Sequence, residues 1–561
     1  MTETDVESKR IAVAKTGYEV VRDPLLNKGT AFTDRERDEL GLHGLLPTEQ
    51  NSQAQQVKRV IAQLNELEKP LNKYVRLSAL QDNNEYLYYR VLVDHLEALM
   101  PIVYTPTVGL ATQNFSQVFR RGRGIWITPN FRGHIEEVLR RAVGDRDVRL
   151  IVATDNESIL GIGDQGAGGM AISIGKLALY VAGAGIAPWQ TLPISLDVGT
   201  NNPELLNDEF YLGLREPRLR GPEYDALIDE FVGAVQKVFP GALLQWEDFR
   251  KDNALDILDR HRTSVLSFND DIQGTGAVAL AALFSSMRIS KIPLQDQRML
   301  IFGAGAAGLG IARQIRAAMG NTGKIGVLDS QGLLVDDREI RDAYKKELAW
   351  TGEQAREIGL TDPQARSLEA VVDKFQPTAL IGSSGQPGAF SQVVVRSMAS
   401  HVARPLILPF SNPTDRAEAT PEDIVRWTEG RALIATGSPF EPVQYKNEVI
   451  HIGQGNNVFI FPGLGLGALI SGATIITDGM VSAAANALAE QVTESELKRG
   501  LLFPAVSRLR EVSKAVAVAV AKAAQTDGVA ESSEKEFADL VDAAMWWPDY
   551  PHYTSANAGR N

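Results

Sequence analysis

The sequence predicts an α/β multidomain chain: a helical N-terminal domain, an α/β domain, a doubly wound parallel-sheet domain, and C-terminal helices. Three observations carry this. The 561 residues exceed what one hydrophobic core organises, so three or four units is the expectation at about 150 residues each. From about residue 148, short apolar runs between glycine-rich turns, beginning with VRLIVAT and LPISLDVGTNN, replace helical periodicity. After Arg298 the runs MLIFG, IGVLD, TALIGS, PLILPFS and ALIATG recur with helix-length segments between most of them, the period of a parallel, doubly wound sheet.

The elements follow in chain order. Thr33 and Glu36 form a capping-box signature, and stretches 50–67 and 82–99 read as amphipathic helices. Leu87, Val91, Leu92, Leu96 and Leu99 recur at helical spacing, as core packing does. The expected divisions are 1–120 helical, 121–270 α/β, 271–455 doubly wound α/β, and 456–561 C-terminal helices returning to the first α/β domain, with a tail. Val458–Thr477 is an uncharged run long enough to span a bilayer, and no second candidate span is evident. Its proline and glycines favour a loop and a buried helix. EVSKAVAVAVAKAAQ alternates like a strand, but its alanines and lysines favour helix. From Trp547, prolines, tyrosines and asparagines suggest an extended tail, suited to packing on a neighbouring subunit.

Composition narrows the function. Hydrophobic residues make up 44% and charged residues 23%, as in ordinary globular chains. A net charge of -13 disfavours nucleic acid and anionic lipid as partners. With no cysteine, disulfides, thiolate metal sites and cysteine nucleophiles are excluded, so any metal sits on oxygen or histidine. MTETDVESKR has no apolar signal region, which makes the cytoplasm the default location.

Gly303-x-Gly305-x-x-Gly308 follows the strand MLIF and opens the helix LGIARQIRAAM. This is the Rossmann-type context, in which glycines permit a tight turn and close approach of a pyrophosphate to the helix N-terminus. The next strand ends at Asp329, placed for an adenosine ribose. A second match, Gly161-x-Gly163-x-x-Gly166, contains Asp164, which opposes a pyrophosphate, and no acidic strand end follows at the right distance. Context selects the Gly303 loop. Asp329 argues for NAD because a carboxylate repels a 2′-phosphate. Small Ser330 and downstream Lys345 and Lys346 keep NADP open.

Two acidic pairs, Glu247–Asp248 and Asp270–Asp271, directly follow hydrophobic stretches. Carboxylates at the ends of apolar strands are aimed into a cleft, where an all-oxygen set suits Mg²⁺ or Mn²⁺; acidic surface turns are the plainer alternative. Lys176 lies in the otherwise apolar ISIGKLALY, and burial beside a metal would depress its pKa and fit it for a general base. Tyr104 is pinned between Pro101 and Pro106, where a rigid loop presents a phenol. Asn412, Asn456 and Asn457 flank strand and glycine-rich elements, where their amides would orient a carboxylate or simply form turns.

Taken together, these segments resemble the malic enzymes from about Gly17 to Tyr550. The likeness is carried by LLNKGTAFTDRERDELGLHGLLP, YTPTVG, ILGIGDQG with IGKLALY, LDVGTNN, WEDF, FNDDIQGTG, GAGAAGLGIA, SNPT, ATGSPF and GQGNNVFIFPG in order. The resemblance implies oxidative decarboxylation of L-malate to pyruvate and CO2, with NAD(P)⁺ reduced and Mg²⁺ or Mn²⁺ required, in a homodimer or homotetramer. It implies metal binding by Glu247, Asp248 and Asp271, proton abstraction by Lys176, and protonation of C3 by Tyr104. It also implies substrate holding by Asn412 and Asn457, with Asn412 at the cofactor too, and support of Lys176 by Asp270.

One departure stands out. Malic enzymes usually read ERILG, with an arginine for the substrate carboxylate, where this chain has Ser158. Losing a charged hydrogen bond of ~1.5–3 kcal/mol implies roughly one to two decades weaker binding unless another cation substitutes. Malolactic enzymes, relatives that retain NAD and Mn²⁺ and release lactate, also tend to carry a small residue there. A catalytically silent NAD-binding oligomer is the reading from another class.

Overall fold

Short, fully buried runs of Leu, Ile, Val and Ala bounded by polar turns make the strands of two parallel sheets, because strands covered on both faces need no polar alternation. The computed structural model describes residues 10–159, 161–320, 324–531 and 536–556. Residues 1–9, on which the absence of a signal region was read, and Leu160 of ILGIGDQG lie outside them.

The chain begins with β1 (Arg10–Val13) and the Thr33–Glu36 capping box. Helices Gln53–Asn65, Pro70–Asn83, Glu85–Asp94 and Leu96–Val103 follow. The expected helix over 82–99 is therefore divided between three helices. Asn84 adopts an extended conformation and caps a new helix through Leu87 N–H, and a second break falls at His95. The apolar spacing runs across both breaks because the pieces face one core.

The first sheet holds β2 (Ile125–Ile127), β3 (Leu150–Thr154), β4 (Thr191–Leu196), β5 (Leu243–Glu247) and β6 (Ser267–Asn269), in the order β2-β4-β3-β5-β6 and parallel throughout. From β3 the chain moves to β4 on one side and then crosses to β5 on the other. The crevice outside the carboxyl ends of β3 and β5 is thus a topological switch point, the place where such sheets bind ligands.

The second sheet contains β7 (Arg298–Phe302), β8 (Lys324–Asp329), β9 (Gly332–Leu333), β10 (Ala379–Gly382), β11 (Leu406–Pro409) and β12 (Leu433–Thr436). A β13–β14 hairpin (Val443–Tyr445, Glu448–Ile450) stands apart, and β15 (Gly453–Gln454) completes the sheet in the order β15-β12-β11-β10-β7-β8-β9. All five anticipated strands are present and mutually parallel; β9 alone is antiparallel, against β8. Its switch point lies between β7 and β10.

Helices Phe461–Ser471 and Leu509–Thr526 pack together and return to the first sheet's helix Met170–Ala184. Phe461 meets Tyr180 at 4.8 Å between ring centroids, and Arg510 donates to Ala182 O. The run from Val458 is a single 3-10 turn and a buried helix, as expected. Two other helices, Gly166–Ala184 and Asp270–Ser290, are long and apolar enough to cross a membrane, contrary to the single candidate read from the sequence. They are 94% and 72% buried inside the protein, which accounts for their composition. The C-terminal tail is extended, but it lies on its own chain: β16 (His552–Ser555) pairs in parallel with β1, and Tyr553 N–H donates to Glu36.

Candidate active site and dinucleotide cleft

Glu247 ends β5, and Gln245, two residues earlier, shares its face by the strand's period of two. Gln245 Nε2 donates to Glu247 Oε2 at 2.8 Å, and the Tyr180 hydroxyl donates to Gln245 Oε1 at 2.5 Å. Asp248 turns the chain with φ 58°, a left-handed conformation that aspartate tolerates better than most residues, and its N–H donates to Asp271 Oδ2 at 2.8 Å. Asp270 and Asp271 open a wide turn, Asp270–Gly274, at the end of β6. Glu247, Asp248 and Asp271 can each present an oxygen such that all three lie within 4.8 Å of one another.

This cluster fits a divalent cation. Asp248 Oδ1 is buried with no hydrogen-bond partner among the described residues, and three converging carboxylates are the hard-oxygen set that Mg²⁺ or Mn²⁺ takes. Without a cation, the carboxyls resist ionisation. Burial, followed by the mutual repulsion of Glu247, Asp248, Asp270 and Asp271, pushes Glu247 and Asp248 well above the usual carboxylate range. Burial and Asp270 bring Asp271 to about 6, against the opposing pull of Lys176.

Lys176 projects from helix Met170–Ala184 into the same crevice. Its Nζ donates to Asp270 Oδ2 at 2.5 Å and lies 3.0 Å from Glu247 Oε1. The ring centroids of Phe461 and Tyr104 are 4.5 and 5.3 Å away. Burial acts to lower the Lys176 pKa, but Asp270 and Glu247 outweigh it and raise it well above the ordinary value. This corrects the sequence expectation of a depressed pKa, which counted burial without the two carboxylates. Tyr104 ends helix Leu96–Val103 and is buried, with its pKa pushed well up by burial and the nearby carboxylates, so the phenol keeps its proton.

Asn457 Nδ2 donates to Asp270 Oδ2 at 3.0 Å, to Asp270 O at 3.2 Å and to Thr275 Oγ1 at 3.1 Å. Its amide nitrogen therefore steadies Asp270. Asn412 is exposed just beyond β11, its Oδ1 accepting from Ser438. Asn456 caps the following turn through Val458 N–H. Ser158 is exposed, and its N–H donates to Asp248 O at 3.0 Å, which seats the Glu157–Ser158 loop beside the acidic cluster. Arg220 pairs with Glu157 through both nitrogens.

The Gly303 loop lies at the second switch point. Gly303 has φ 120°, and a Cβ there would sit 2.6 Å from the Ser383 backbone at the end of β10. A Cβ on Gly308 would sit 1.9 Å from Gly303 O. Gly305 caps helix Ala306–Ala318 and faces open space, leaving the helix N-terminus accessible to phosphate. This helix packs against the Asp270–Gly274 turn, with no room for a Cβ between Gly310 and Ile272 O, so the two clefts adjoin. The competing Gly161 loop is closed by Asp164, which accepts from Arg218 Nε at 2.9 Å and Asn201 N–H at 2.8 Å. Asp329 ends β8, where it is engaged by Arg338 and Lys345.

Sequence reasoning missed Gln245 and Tyr180, which extend the hydrogen bonding behind Glu247. The i, i+2 spacing of Gln245 and Glu247 on one strand was the available signal.

Residues 81–262 match the malic enzyme N-terminal domain family and residues 272–525 the malic enzyme NAD-binding domain family. The chain is 46% identical to the NAD-dependent malic enzyme of Pectobacterium atrosepticum over 98% of its length and 99% of the relative's. It is 48% identical to NAD-dependent malic enzyme 3 of Bacillus subtilis, covering 95% and 96%. Among solved structures it is similar to Entamoeba histolytica malic enzyme, with TM-score 0.56, 27% identity and 80% of each chain covered.

Proposed function

The chain belongs to the malic enzyme family, and from that premise we propose that it catalyses NAD-linked oxidative decarboxylation of L-malate to pyruvate and CO2, assisted by a divalent cation. The observation that carries this reading is Lys176, buried between Asp270 and Glu247 at the edge of a carboxylate cluster that adjoins the dinucleotide loop.

Glu247, Asp248 and Asp271 would hold Mg²⁺ or Mn²⁺. When bound, the cation supplies a Lewis acid for the malate hydroxyl and carboxylate oxygens, and NAD⁺ an acceptor for the C2 hydride. The chain's own residues move the protons. Lys176 takes the hydroxyl proton as the C2 hydride leaves, for which it must be neutral, and Asp270 Oδ2 at 2.5 Å orients its Nζ. Loss of CO2 leaves electron density at C3, and Tyr104, held protonated, delivers a proton there. Asn457 holds Asp270 in place, and Asn412 offers its amide beside the nicotinamide and substrate.

Ser158 favours one second reading, malolactic conversion of L-malate to L-lactate and CO2, because the loop beside Asp248 offers no side-chain cation at that point. The names of the relatives support NADH release. Incubation of the full chain with L-malate, NAD⁺ and Mn²⁺ separates the two: NADH with pyruvate supports the proposal, and lactate without net NADH supports the alternative. Resemblance to the family also supports a homodimer or homotetramer, to be measured by sedimentation.

A further inference from the structure

Glu418 lies beyond β11, on the run that leads to helix Pro421–Trp427, and is wholly closed to solvent. Its Oε1 accepts from Ser384 N–H and Ser384 Oγ, each at 2.8 Å, and from Ser411 Oγ at 2.5 Å; Oε2 accepts from Ser411 N–H at 3.4 Å. Both hydroxyls also accept from the backbone, Ser384 Oγ from Gln386 N–H at 3.2 Å and Ser411 Oγ from Gly385 N–H at 2.8 Å. The single hydrogen of each hydroxyl is therefore turned to Glu418, and every bond that the side chain makes is an accepted one, as suits a carboxylate. None of these partners is a cation. A buried anion without a counter-charge is costly, and a full set of donors is what offsets it.

The two serines stand on different loops. Ser384 follows β10 and Ser411 follows β11, both on the side of the second switch point away from β8. In a doubly wound dinucleotide fold the half containing the acidic strand end takes the adenosine, which leaves the β10–β11 half for the nicotinamide. The first loop leans on the Gly303 loop, Ser383 N–H donating to Phe302 O at 2.8 Å and Ser383 Oγ to Gly303 O at 3.3 Å. The second runs directly into Asn412. Gly382, the last residue of β10, makes room for the carboxylate between them, since a Cβ there would sit 2.3 Å from Glu418 Cδ.

We propose that Glu418 is a positioning residue for the nicotinamide end of the dinucleotide: by clamping the Ser383–Gly385 loop to the Ser411–Asn412 loop, it fixes the wall that orients the ring for hydride transfer. The inference rests on the dinucleotide reading of the Gly303 loop. Charge suits this task, because hydrogen bonds to an ionised acceptor are roughly twice as strong as neutral ones. A glutamine in the same place has one oxygen for the three donors on Oε1 and turns an amide N–H toward Ser411 N–H. Neither Asp329 nor Gly305 is a partner of Glu418, so the clamp acts on one half of the cofactor.

The test compares NAD⁺ with ADP-ribose, which has the pyrophosphate and adenosine but no nicotinamide, by calorimetry on the full chain. Glu418→Gln should bind NAD⁺ roughly 10-fold more weakly and ADP-ribose within about 2-fold of the unaltered protein. With NAD⁺ saturating, kcat for malate oxidation should fall by about 10²-fold, the usual cost of a displaced reacting group. Ser384→Ala and Ser411→Ala, each removing one hydroxyl donor, should show the same split at lower amplitude. They carry the test if circular dichroism shows Glu418→Gln unfolded. A role in stability alone would lower Tm and leave NAD⁺ affinity and kcat unchanged in the folded variants, which overturns the inference, as does an equal loss for NAD⁺ and ADP-ribose. Failure of ADP-ribose to bind the unaltered protein would instead overturn the dinucleotide reading, and the inference with it.

Discussion

Lys176 Nζ lies 2.5 Å from Asp270 Oδ2, and both side chains are closed to solvent. The ammonium also touches Glu247 of the carboxylate cluster, so the proton-transfer machinery and the cation site share one contact. Lys176→Ala should lower kcat for malate oxidation by about 10²–10⁴-fold, the range for loss of a general base, with NAD⁺ affinity unchanged. Steady-state kinetics beside NAD⁺ titration checks this; near-normal turnover would remove Lys176 as the base.

Asp270 offsets a buried charge. Asp270→Ala should destabilise the protein by about 3–5 kcal/mol, the usual cost of leaving one member of a buried pair unpartnered. Urea unfolding reads this directly. An effect below about 1 kcal/mol, typical of an exposed pair, would contradict the sealed contact.

Tyr104→Phe separates hydride transfer from protonation. The variant should lose about 10²–10⁴-fold in pyruvate formation from L-malate, while NADH-linked reduction of oxaloacetate, which needs no proton at C3, continues. Equal losses in both reactions would place Tyr104 elsewhere in the mechanism.

Cation binding and pH are linked through the cluster. Asp271 sits at about 6, above its unfolded value of about 4. Its contribution to stability is therefore complete below the unfolded pKa and is lost as pH rises through about 6. Glu247 and Asp248 shift in the same direction. A divalent cation replaces those protons, so Mn²⁺ should raise Tm more above that window than below it, and Asp248→Asn should reduce the effect. Equal Tm shifts on both sides of the window, measured by scanning calorimetry, would contradict a cation on these carboxylates.

What the sequence disclosed and withheld follows from the range of each interaction. Strands β3 and β4 and the five longer strands of the second sheet were legible because each is a local apolar run, and the Gly303 loop because its glycines adjoin a strand and a helix. Glu247, Asp248 and Asp271 stood out as carboxylates after apolar stretches. Lys176 and Asp270 are 94 residues apart, and no local pattern pairs them, so the direction of the lysine's pKa could not be read. The pairing of β16 with β1 was hidden for the same reason. The breaks at Asn84 and His95 were masked by hydrophobic spacing that continues past them.

The most direct measurement follows NADH by absorbance and pyruvate and lactate by chromatography while the purified chain acts on L-malate with NAD⁺ and Mn²⁺. The account predicts NADH and pyruvate in equal amounts. Lactate without net NADH, or no turnover while NAD⁺ binds, would contradict it.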